Sequence, residues 1–338
     1  MTRNRLLTTR NPELTQSSTP TVIAVVIPCF RVTQAILGVL SKIGDEVSMI
    51  FVIDDKCPDG SGRMVREQVS DPRVQVIFHA ENAGVGGAVM SGYKAALAQG
   101  ADIVVKVDGD GQMDPALLPR FIRPLVIGVA DYAKGNRFYS RHAVRQMPAV
   151  RLFGNAALSF FTKLSSGYWS IFDPTNGYTA IHRAALEQLN FDKISKRYFF
   201  ESDMLVSLGS VRAMVMDIPM EATYGEETSH LKISRVIPEF AAKHTIAMMK
   251  RIIYNYFLRD FSFASLCLFF GVILFLFGVV FGGVNWWHSV QTNTSAATGT
   301  VMIATVTIIL GFQLLLSFLN YDISNEPSVP LQVMHDGS

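Results

Sequence analysis

The chain has 338 residues, which suits a catalytic unit with an appendage rather than one average domain. Hydrophobic residues make up 49% of it and the mean hydropathy is +0.27, a high value for a soluble protein. A net charge of +2 is too small to indicate nucleic-acid binding, and three widely separated cysteines indicate neither a disulfide framework nor a zinc cluster.

The N-terminal segment, residues 1–20, is polar and lacks an apolar core, so we expect a flexible tail and no signal peptide. From residue 21 to 235, short β-branched runs alternate with helical patterns. This alternation predicts an α/β domain with a mainly parallel sheet. The predicted strands are 22–27, 49–53, 74–78 and 103–107, and the predicted helices are 33–43, 60–69 and 85–98.

A polar motif follows each predicted strand, at the edge where sheets of this kind bind ligands. In chain order the motifs begin at Pro28, Asp54, Glu81 and Asp108 and read PCF, DDKCPDG, ENAGVGG and DGDGQMDP. Acidic groups at neighbouring strand ends and a glycine-rich turn before a helix suit a nucleotide whose diphosphate is bridged by a metal. The motif series therefore predicts a nucleotide site.

Each motif offers a particular chemistry. The carboxylates of Asp54 and Asp55 can accept hydrogen bonds from a base and from ribose hydroxyls, and glycines allow the backbone to approach a ligand closely. Asp108 and Asp110 can supply hard oxygen ligands to Mg²⁺ or Mn²⁺, which would help a nucleoside diphosphate to leave.

Two other ligand sites fit the same segment less well. An EF-hand loop beginning at Asp108 would need Gly where Met113 stands and Glu where Pro119 stands. A dinucleotide fingerprint would follow the first strand, whereas these glycines follow the third, and Val89 occupies the last small position.

The C-terminal part is strongly apolar, with no Asp, Glu, Lys or Arg from Phe261 to Tyr321. We predict transmembrane helices over 261–284 and 300–320, the first roughly 36 Å long against a hydrocarbon core of about 30 Å. The polar loop between them is expected to begin at Asn285, with Trp286 and Trp287 at the membrane interface. The alternative is a pair of buried helices in a soluble protein.

Basic residues precede the first span and none lies in the loop, so the large domain is expected on the cytosolic side of the inner membrane, with a cytoplasmic tail over 321–338. Residues 236–260 mix apolar and basic side chains and predict an amphipathic juxtamembrane helix. An ordinary surface helix packed on the domain is the alternative for this segment.

Taken together, the stretches VVIPCF, VIDDKCPDGSG, NAGVGGAVMSGYKAA, DGDGQMDP, KGNRF and DPTNGYTA resemble the family 2 inverting glycosyltransferases of GT-A fold. Within that family the chain resembles the dolichyl- or polyprenyl-phosphate hexose synthases of bacterial membranes. The resemblance covers residues 22–235. It implies a nucleotide-sugar donor, a polyprenyl phosphate acceptor, a membrane location and a divalent cation.

The resemblance also implies roles for individual residues. The nucleotide-sugar would contact Pro28, Phe30, Asp54, Asp55, Asn82, Gly86 and Asp108, and the cation would lie among Asp108, Asp110 and Gln112. Asp173, Asp203 and Arg137 would be catalytic, with Glu201 as a further acidic candidate. The acceptor phosphate would meet Arg137, Arg151, Ser229 and Lys232.

Two stretches depart from the family pattern. The first strand ends in Pro28-Cys29-Phe30-Arg31 without the usual acid, and the segment around Ser229 has Tyr224 where an arginine is common. These departures leave a hydroxyl acceptor in polysaccharide or lipopolysaccharide synthesis open, with Asp173 or Asp203 as base. A processive synthase would show Gln-x-x-Arg-Trp and more spans. A non-catalytic sugar-nucleotide sensor and homo-oligomerisation also stay open.

Overall fold

A seven-stranded sheet organises the N-terminal part of the molecule. The computed structural model describes residues 20–139, 149–221 and 233–335, without the side chains of 149–151, 233–237 and 335. The strands are β1 Ile23–Cys29, β2 Met49–Asp54, β3 Val74–Phe78, β4 Ile103–Lys106, β5 Tyr132–Asn136, β6 Thr179–His182 and β7 Val215–Pro219. Their order in the sheet is β3-β2-β1-β4-β6-β5-β7, and β6 alone among them runs antiparallel to both of its neighbours.

Helices cover both faces of the sheet because successive strand residues point to opposite sides. In β1, Ala24 and Val26 pack into one apolar cluster, whereas Val25 and Ile27 pack into another. The helices of this part are α1 Ile36–Leu40, α2 Ser61–Gln68, α3 Gly84–Ala98, α4 Leu118–Val126, α5 Ala149–Ser166, α6 Arg183–Leu186 and α7 Phe200–Val211. The mainly parallel α/β sheet predicted from the sequence is confirmed.

The amphipathic segment forms helix α8, Ile233–Ile253, which continues as a wider π-helical turn over Tyr254–Arg259. One face of α8 packs on the domain: His244 is buried, accepts or donates a hydrogen bond of 2.9 Å with Ser165 Oγ, and lies edge-on to Phe199. Burial lowers the pKa of His244 to about 4. The opposite face exposes Ile246 and Met249, so α8 both packs on the domain and presents apolar side chains outward.

Two long apolar helices follow, α9 Phe263–Thr292 and α10 Thr298–Ser324. Their most apolar windows have mean hydropathies of 2.7 and 2.2, with only 28% and 17% of each window buried. Core helices of soluble proteins are mostly buried, so these values favour a pair of membrane helices. Small residues bring the two helices together, since a Cβ added at Gly271 would lie 3.1 Å from Leu314 Cβ.

The first membrane helix extends further than the sequence predicts. Asn285, Trp286 and Trp287 belong to α9, and the loop begins only after Thr292. Asn285 Nδ2 donates to Phe281 O at 2.8 Å, which satisfies the amide inside the helix. The helix ends where Asn293 adopts a left-handed conformation with φ of 52°.

After the second membrane helix the chain returns to the sheet domain. Helix α11, Leu331–His335, begins with a buried Leu331 in the same apolar cluster as β1 residues. Leu331 N donates to Asp131 Oδ2 at 2.9 Å, and that fully buried carboxylate also accepts from Met214 N at 2.8 Å. Part of the predicted tail over 321–338 is therefore packed on the domain.

Candidate functional site

The carboxyl ends of β1, β2 and β4 lie side by side because these strands are parallel neighbours. Asp55 N donates to Cys29 O at 3.1 Å, which joins the loops after β1 and β2. The strand-end motifs predicted to converge therefore do so at one edge of the sheet, with Pro28 near the end of β1. Phe30 is 42% exposed at this edge, with the Arg31 guanidinium 5.4 Å from its ring centre.

Asp54 is buried and holds the loop after β2. Its two oxygens accept from Cys57 N at 2.7 Å and from Gly62 N at 2.9 Å, near the start of α2. A carboxylate is stabilised at a helix N-terminus by the unpaired backbone N–H groups there. Asp54 thus shapes the loop, and its predicted contact with a nucleotide stays a prediction.

Asp55 performs the same task for the next loop. Oδ1 accepts from Ala83 N at 2.7 Å and Oδ2 accepts from Gly84 N at 2.8 Å, at the start of α3. His79 Nδ1 lies 2.8 Å from Oδ1, and Asn82 Nδ2 donates to Asp55 O at 3.0 Å. Asn82 is exposed at this edge. The carboxylate of Asp55 is thus committed to fixing the glycine-rich turn.

The glycines of that turn make room for the protein's own backbone. Gly84 has φ of +81°, and a Cβ at Gly86 would lie 2.5 Å from Ser195 O. Gly86 N also donates to Lys196 O at 2.9 Å. The close approach predicted for a ligand is thus made by residues 195–196, and a nucleotide contact at Gly86 stays a prediction.

The DGD turn, Asp108-Gly109-Asp110, follows β4. Asp108 Oδ1 lies 2.7 Å from Lys106 Nζ, and Asp110 Oδ1 accepts from Gln112 N at 3.0 Å. Gly111, with φ of +79°, turns the chain between Asp110 and Gln112. On the other side of Asp108, a Cβ at Gly177 would lie 2.7 Å from Oδ2, so glycine there keeps the approach to this oxygen open.

Among the described residues, no three His, Cys, Asp or Glu side chains converge on one point. Two carboxylates and the amide of Gln112 are nevertheless a hard-oxygen donor set of the kind Mg²⁺ and Mn²⁺ prefer. Mg²⁺ is commonly held by one or two carboxylates together with substrate phosphates rather than by a full protein cage. The residues present therefore fit a cation shared with a diphosphate.

A buried lysine stands behind the DGD turn. Lys106 is 1% exposed; its Nζ donates to Gly177 O at 3.1 Å and lies 3.6 Å from Glu201 Oε1. Burial disfavours the ammonium, but Asp108 and Glu201 outweigh burial and raise the pKa of Lys106. Glu201, a lesser candidate from sequence, therefore belongs to the cluster around Asp108. A single lysine inside the apolar run of β4 is the sequence feature that could have revealed Lys106.

A second buried lysine supports the loop that contains Asn176 and Gly177. Lys134 in β5 is fully buried and donates from Nζ to Asn176 O. Burial lowers the pKa of Lys134 to about 8, against the opposing carboxylates of Asp173, Glu201 and Asp217. The two lysines thus hold consecutive carbonyl groups, those of Asn176 and Gly177.

Arg137 and Asp173 form a bidentate ion pair at the end of β5. Arg137 Nε donates to Oδ2 at 2.7 Å and Nη2 donates to Oδ1 at 2.9 Å, while Asp173 is fully buried. Nη2 also donates to Thr175 Oγ1 at 3.1 Å, and about a quarter of the Arg137 side chain, 24%, is exposed. Asp173 is thus placed to fix the guanidinium in a rigid plane.

The remaining predicted residues have separate places. Asp203 Oδ2 accepts from Ser195 N at 2.7 Å, so this carboxylate holds the loop before α7. The side chain of Arg151, and the whole of Ser229 and Lys232, lie outside the described residues. The tail predicted over residues 1–20 also lies outside them, apart from Pro20.

Asp217 in β7 is a further, half-buried acid that the sequence did not reveal. Its Oδ2 accepts from Asn136 Nδ2 at 2.7 Å and from Phe172 N at 3.2 Å, whereas Oδ1 has no hydrogen-bond partner among the described residues. Burial raises the pKa of Asp217 to about 6.

The family model described as glycosyl transferase family 2 matches residues 24–189. A UDP-N-acetylglucosamine–dolichyl-phosphate N-acetylglucosaminyltransferase of Methanococcus voltae is 28% identical over 243 residues, 68% of this chain and 96% of that protein. A polyprenol monophosphomannose synthase of Mycolicibacterium smegmatis is 32% identical over 180 residues, 52% of this chain and 67% of that protein. An undecaprenyl-phosphate mannosyltransferase of Micrococcus luteus is 28% identical, over 59% of this chain and 82% of that protein.

Solved structures extend the likeness to the fold. Glucosyl-3-phosphoglycerate synthase from Mycobacterium tuberculosis, in complex with Mn²⁺, UDP and phosphoglyceric acid, superposes with a TM-score of 0.51 at 18% identity. The match covers 68% of this chain and 78% of that one. At this identity the likeness is one of fold, the GT-A arrangement expected from the sequence.

Proposed function

The chain belongs to glycosyl transferase family 2, and from this premise we propose that it transfers a hexose from a UDP- or GDP-linked donor to a polyprenyl phosphate. The transfer would serve cell-envelope glycan assembly. Relatives in three organisms are named for transfer of a sugar to dolichyl, undecaprenyl or polyprenol carriers. The family match over residues 24–189 includes the strand-end motifs and the Arg137–Asp173 pair.

The observation that carries the proposal is the position of the Arg137 guanidinium. Asp173, its buried partner, ends a loop whose beginning contacts the end of α10, where Asp322 Oδ2 accepts from Trp169 Nε1 at 2.9 Å. A partly exposed guanidinium is a strong binder of phosphate oxygens. A phosphate at the head of a membrane lipid would meet such a group at this place.

The DGD turn is the proposed donor side of the same site. Asp108, Asp110 and Gln112 would hold Mg²⁺ or Mn²⁺, which when bound neutralises diphosphate oxygens and stabilises the leaving nucleoside diphosphate. Lys106 keeps Asp108 and Glu201 in place from behind. Phe30 offers an exposed ring beside which a base can lie, and Asp54 and Asp55 keep the surrounding loops in shape.

We propose a single displacement with inversion. A phosphate oxygen of the acceptor attacks the anomeric carbon as the bond to the diphosphate oxygen breaks. This acceptor is already anionic, so the protein needs to orient the reactants and stabilise charge rather than remove a proton. Asp173 and Asp203, the carboxylates that could act as a base for a hydroxyl acceptor, are both engaged in hydrogen bonds within the protein.

We propose that α9 and α10 form a membrane hairpin that starts and ends on the side of the membrane where the sheet domain lies. Phe263 begins α9 shortly after α8, and α10 ends beside Trp169 of the domain. Both ends of the hairpin therefore lie next to the domain, and the positively charged flank supports a position of the domain on the cytosolic side of the inner membrane.

Membranes containing the protein, mixed with radiolabelled UDP- or GDP-sugars and then extracted with organic solvent, test the proposal. We expect metal-dependent label in the lipid phase for the wild type and a loss of about 100-fold or more for Asp110→Asn, because the substitution removes a charged donor from the diphosphate site. Asp192→Asn, which removes an acid that is 91% exposed, is the matched control and should keep its activity.

Label that enters a water-soluble polymer or lipopolysaccharide instead of a lipid phosphate would favour the hydroxyl acceptor. Binding of a nucleotide-sugar without any product from any acceptor pool would favour the sensor and would refute the enzyme.

A further inference from the structure

The end of the second membrane helix carries a buried acid with a full set of partners. Asp322 is 3% exposed; Oδ1 accepts from Arg251 Nη1 at 2.6 Å and from Tyr256 OH at 2.5 Å. Oδ2 accepts from Arg251 Nη2 at 3.0 Å and from Trp169 Nε1 at 2.9 Å. A buried carboxylate is tolerated only when its lone pairs are satisfied in this way.

A second acid, Glu326, lies two residues beyond the end of α10 and holds Ser170, the next residue of the domain. Glu326 Oε1 accepts from Ser170 Oγ at 2.5 Å and Oε2 accepts from Ser170 N at 3.2 Å. Lys163 donates from Nζ to Trp169 O on the other side of the segment. Two consecutive residues, Trp169 and Ser170, are therefore fixed by the segment that leaves the membrane.

The chain from Ser170 to Asp173 is short and held at each step. Phe172 N donates to Asp217 Oδ2 at 3.2 Å, and the Phe172 ring lies edge-on to Phe138, with ring centres 5.3 Å apart. Asp173 then accepts both hydrogen bonds from the Arg137 guanidinium. Trp169 and Asp173 are thus connected through three residues, two of which, Ser170 and Phe172, are held by hydrogen bonds from their backbone N–H groups to carboxylates.

We infer that the end of α10 positions the Arg137 guanidinium through the loop 169–173, so that Asp322 and Glu326 are positioning residues for the acceptor step. The membrane hairpin is then part of the assembly of the site as well as an anchor. A shift of about 1 Å at a reacting group is enough to slow a reaction by orders of magnitude. The inference rests on the proposed function only for the identity of the acceptor.

Two mild variants test the link in the full-length protein. Asp322→Asn would leave buried Arg251 without its counter-ion, so the decisive variants are Glu326→Gln and Trp169→Phe, each of which weakens one contact to the loop. We expect kcat/KM for a short-chain polyprenyl phosphate to fall about fivefold to tenfold, with nucleotide-sugar binding unchanged within about twofold. Glu187→Gln, which alters an exposed ion pair on α6, is the matched control.

A double-mutant cycle separates positioning from general stability. If Glu326 acts through Arg137, then Glu326→Gln in an Arg137→Lys background should cost less than about twofold. An undiminished loss in that background would overturn the inference, as would wild-type kcat/KM in both single variants.

Hydrogen exchange gives a readout that needs no turnover. In Glu326→Gln and Trp169→Phe we expect faster exchange in peptides that contain residues 169–173 and residue 137, and unchanged exchange in β1 and β2. Unchanged exchange at residue 137 would overturn the inference. If the wild type forms no lipid product, the proposed function fails, whereas this exchange measurement still decides whether the hairpin positions Arg137.

Discussion

Two pairs of charged groups on the two sides of the sheet, Asp54 with Asp55 and Lys106 with Asp173, are stabilised by different means. On the side of β1, β2 and β3, Asp54 and Asp55 accept hydrogen bonds from backbone N–H groups at the starts of α2 and α3. On the side of β4 to β7, the buried Lys106 and the buried Asp173 are paired with side chains of opposite charge. The carboxylates that bind backbone groups shape loops, whereas the paired ions keep charge available beside the site proposed for sugar transfer.

This difference fits the two substrates proposed above. A nucleotide needs a cleft of fixed shape, which loops pinned by Asp54 and Asp55 provide. A diphosphate and a lipid phosphate need balanced charge, which the paired ions provide. Rigid loops on one side and buried ion pairs on the other are thus two ways of preorganising one site.

The largest effect is expected from Lys106→Met, which keeps an unbranched side chain one atom shorter and removes the ammonium. Asp108 and Glu201 would lose their shared counter-ion, at a cost of about 2–4 kcal/mol, because both carboxylates keep some contact with water. Denaturant unfolding of the detergent-solubilised protein measures the loss. Lys94→Met, at a side chain that is 58% exposed, is the control and should change stability by less than about 0.5 kcal/mol. Equal stability of the two variants would contradict the role given to Lys106.

A smaller loss is expected from Asp55→Asn on the other side of the sheet. Whichever way the amide is oriented, its NH₂ group faces the backbone N–H of Ala83 or Gly84, where an oxygen accepted before. The loss of one acceptor for these N–H donors lowers the free energy of unfolding by about 1–3 kcal/mol. The same unfolding assay applies, with exposed Asp59→Asn as control. If Asp55→Asn destabilises more than Lys106→Met, the comparison between the two sides is wrong.

The smallest effect is a pH dependence that comes from Asp217. Its folded pKa of about 6 lies above the ordinary value of 3.8, so the folded protein retains a proton that the unfolded chain releases. Its contribution to stability is therefore present below pH 3.8 and is lost as the pH rises through 6. Relative to Asp217→Asn, the wild type should lose about 1–2 kcal/mol between pH 4 and pH 7. Thermal melts over this range test it, and parallel curves for the two proteins would refute it.

The sequence predicts the parallel strands and the order of the strand-end motifs, because β-branched runs and acidic turns are local patterns. Local patterns do not predict which groups these acids bind. Asp55 binds backbone groups 28 and 29 residues away, and Arg137 binds an acid 36 residues away. Such pairings depend on which loops the sheet brings together, and one sequence does not specify that.

The membrane segment shows the same limit in another form. Its apolar composition predicts two long helices. The polar Asn285 and the two tryptophans predict that the first helix ends near residue 285, but the helix continues to Thr292. An asparagine can satisfy its own amide inside a helix, as Asn285 does with Phe281 O. The helix ends at the left-handed turn of Asn293, and asparagine is one of the few residues that favour this conformation, so Asn293 is the sequence feature that could have revealed the end of the helix.

The bond between Asp131 and Leu331 has a consequence for the order of biosynthesis. These two residues are separated by 200 positions, with both membrane helices between them. During translation the sheet domain emerges first, yet the carboxylate of Asp131 receives the donors Leu331 N and Gln332 N only after α10 has left the ribosome. Until then Asp131 accepts from Met214 N but lacks the donors Leu331 N and Gln332 N, so the sheet domain gains its full set of hydrogen bonds at this carboxylate only after both long apolar helices have been synthesised.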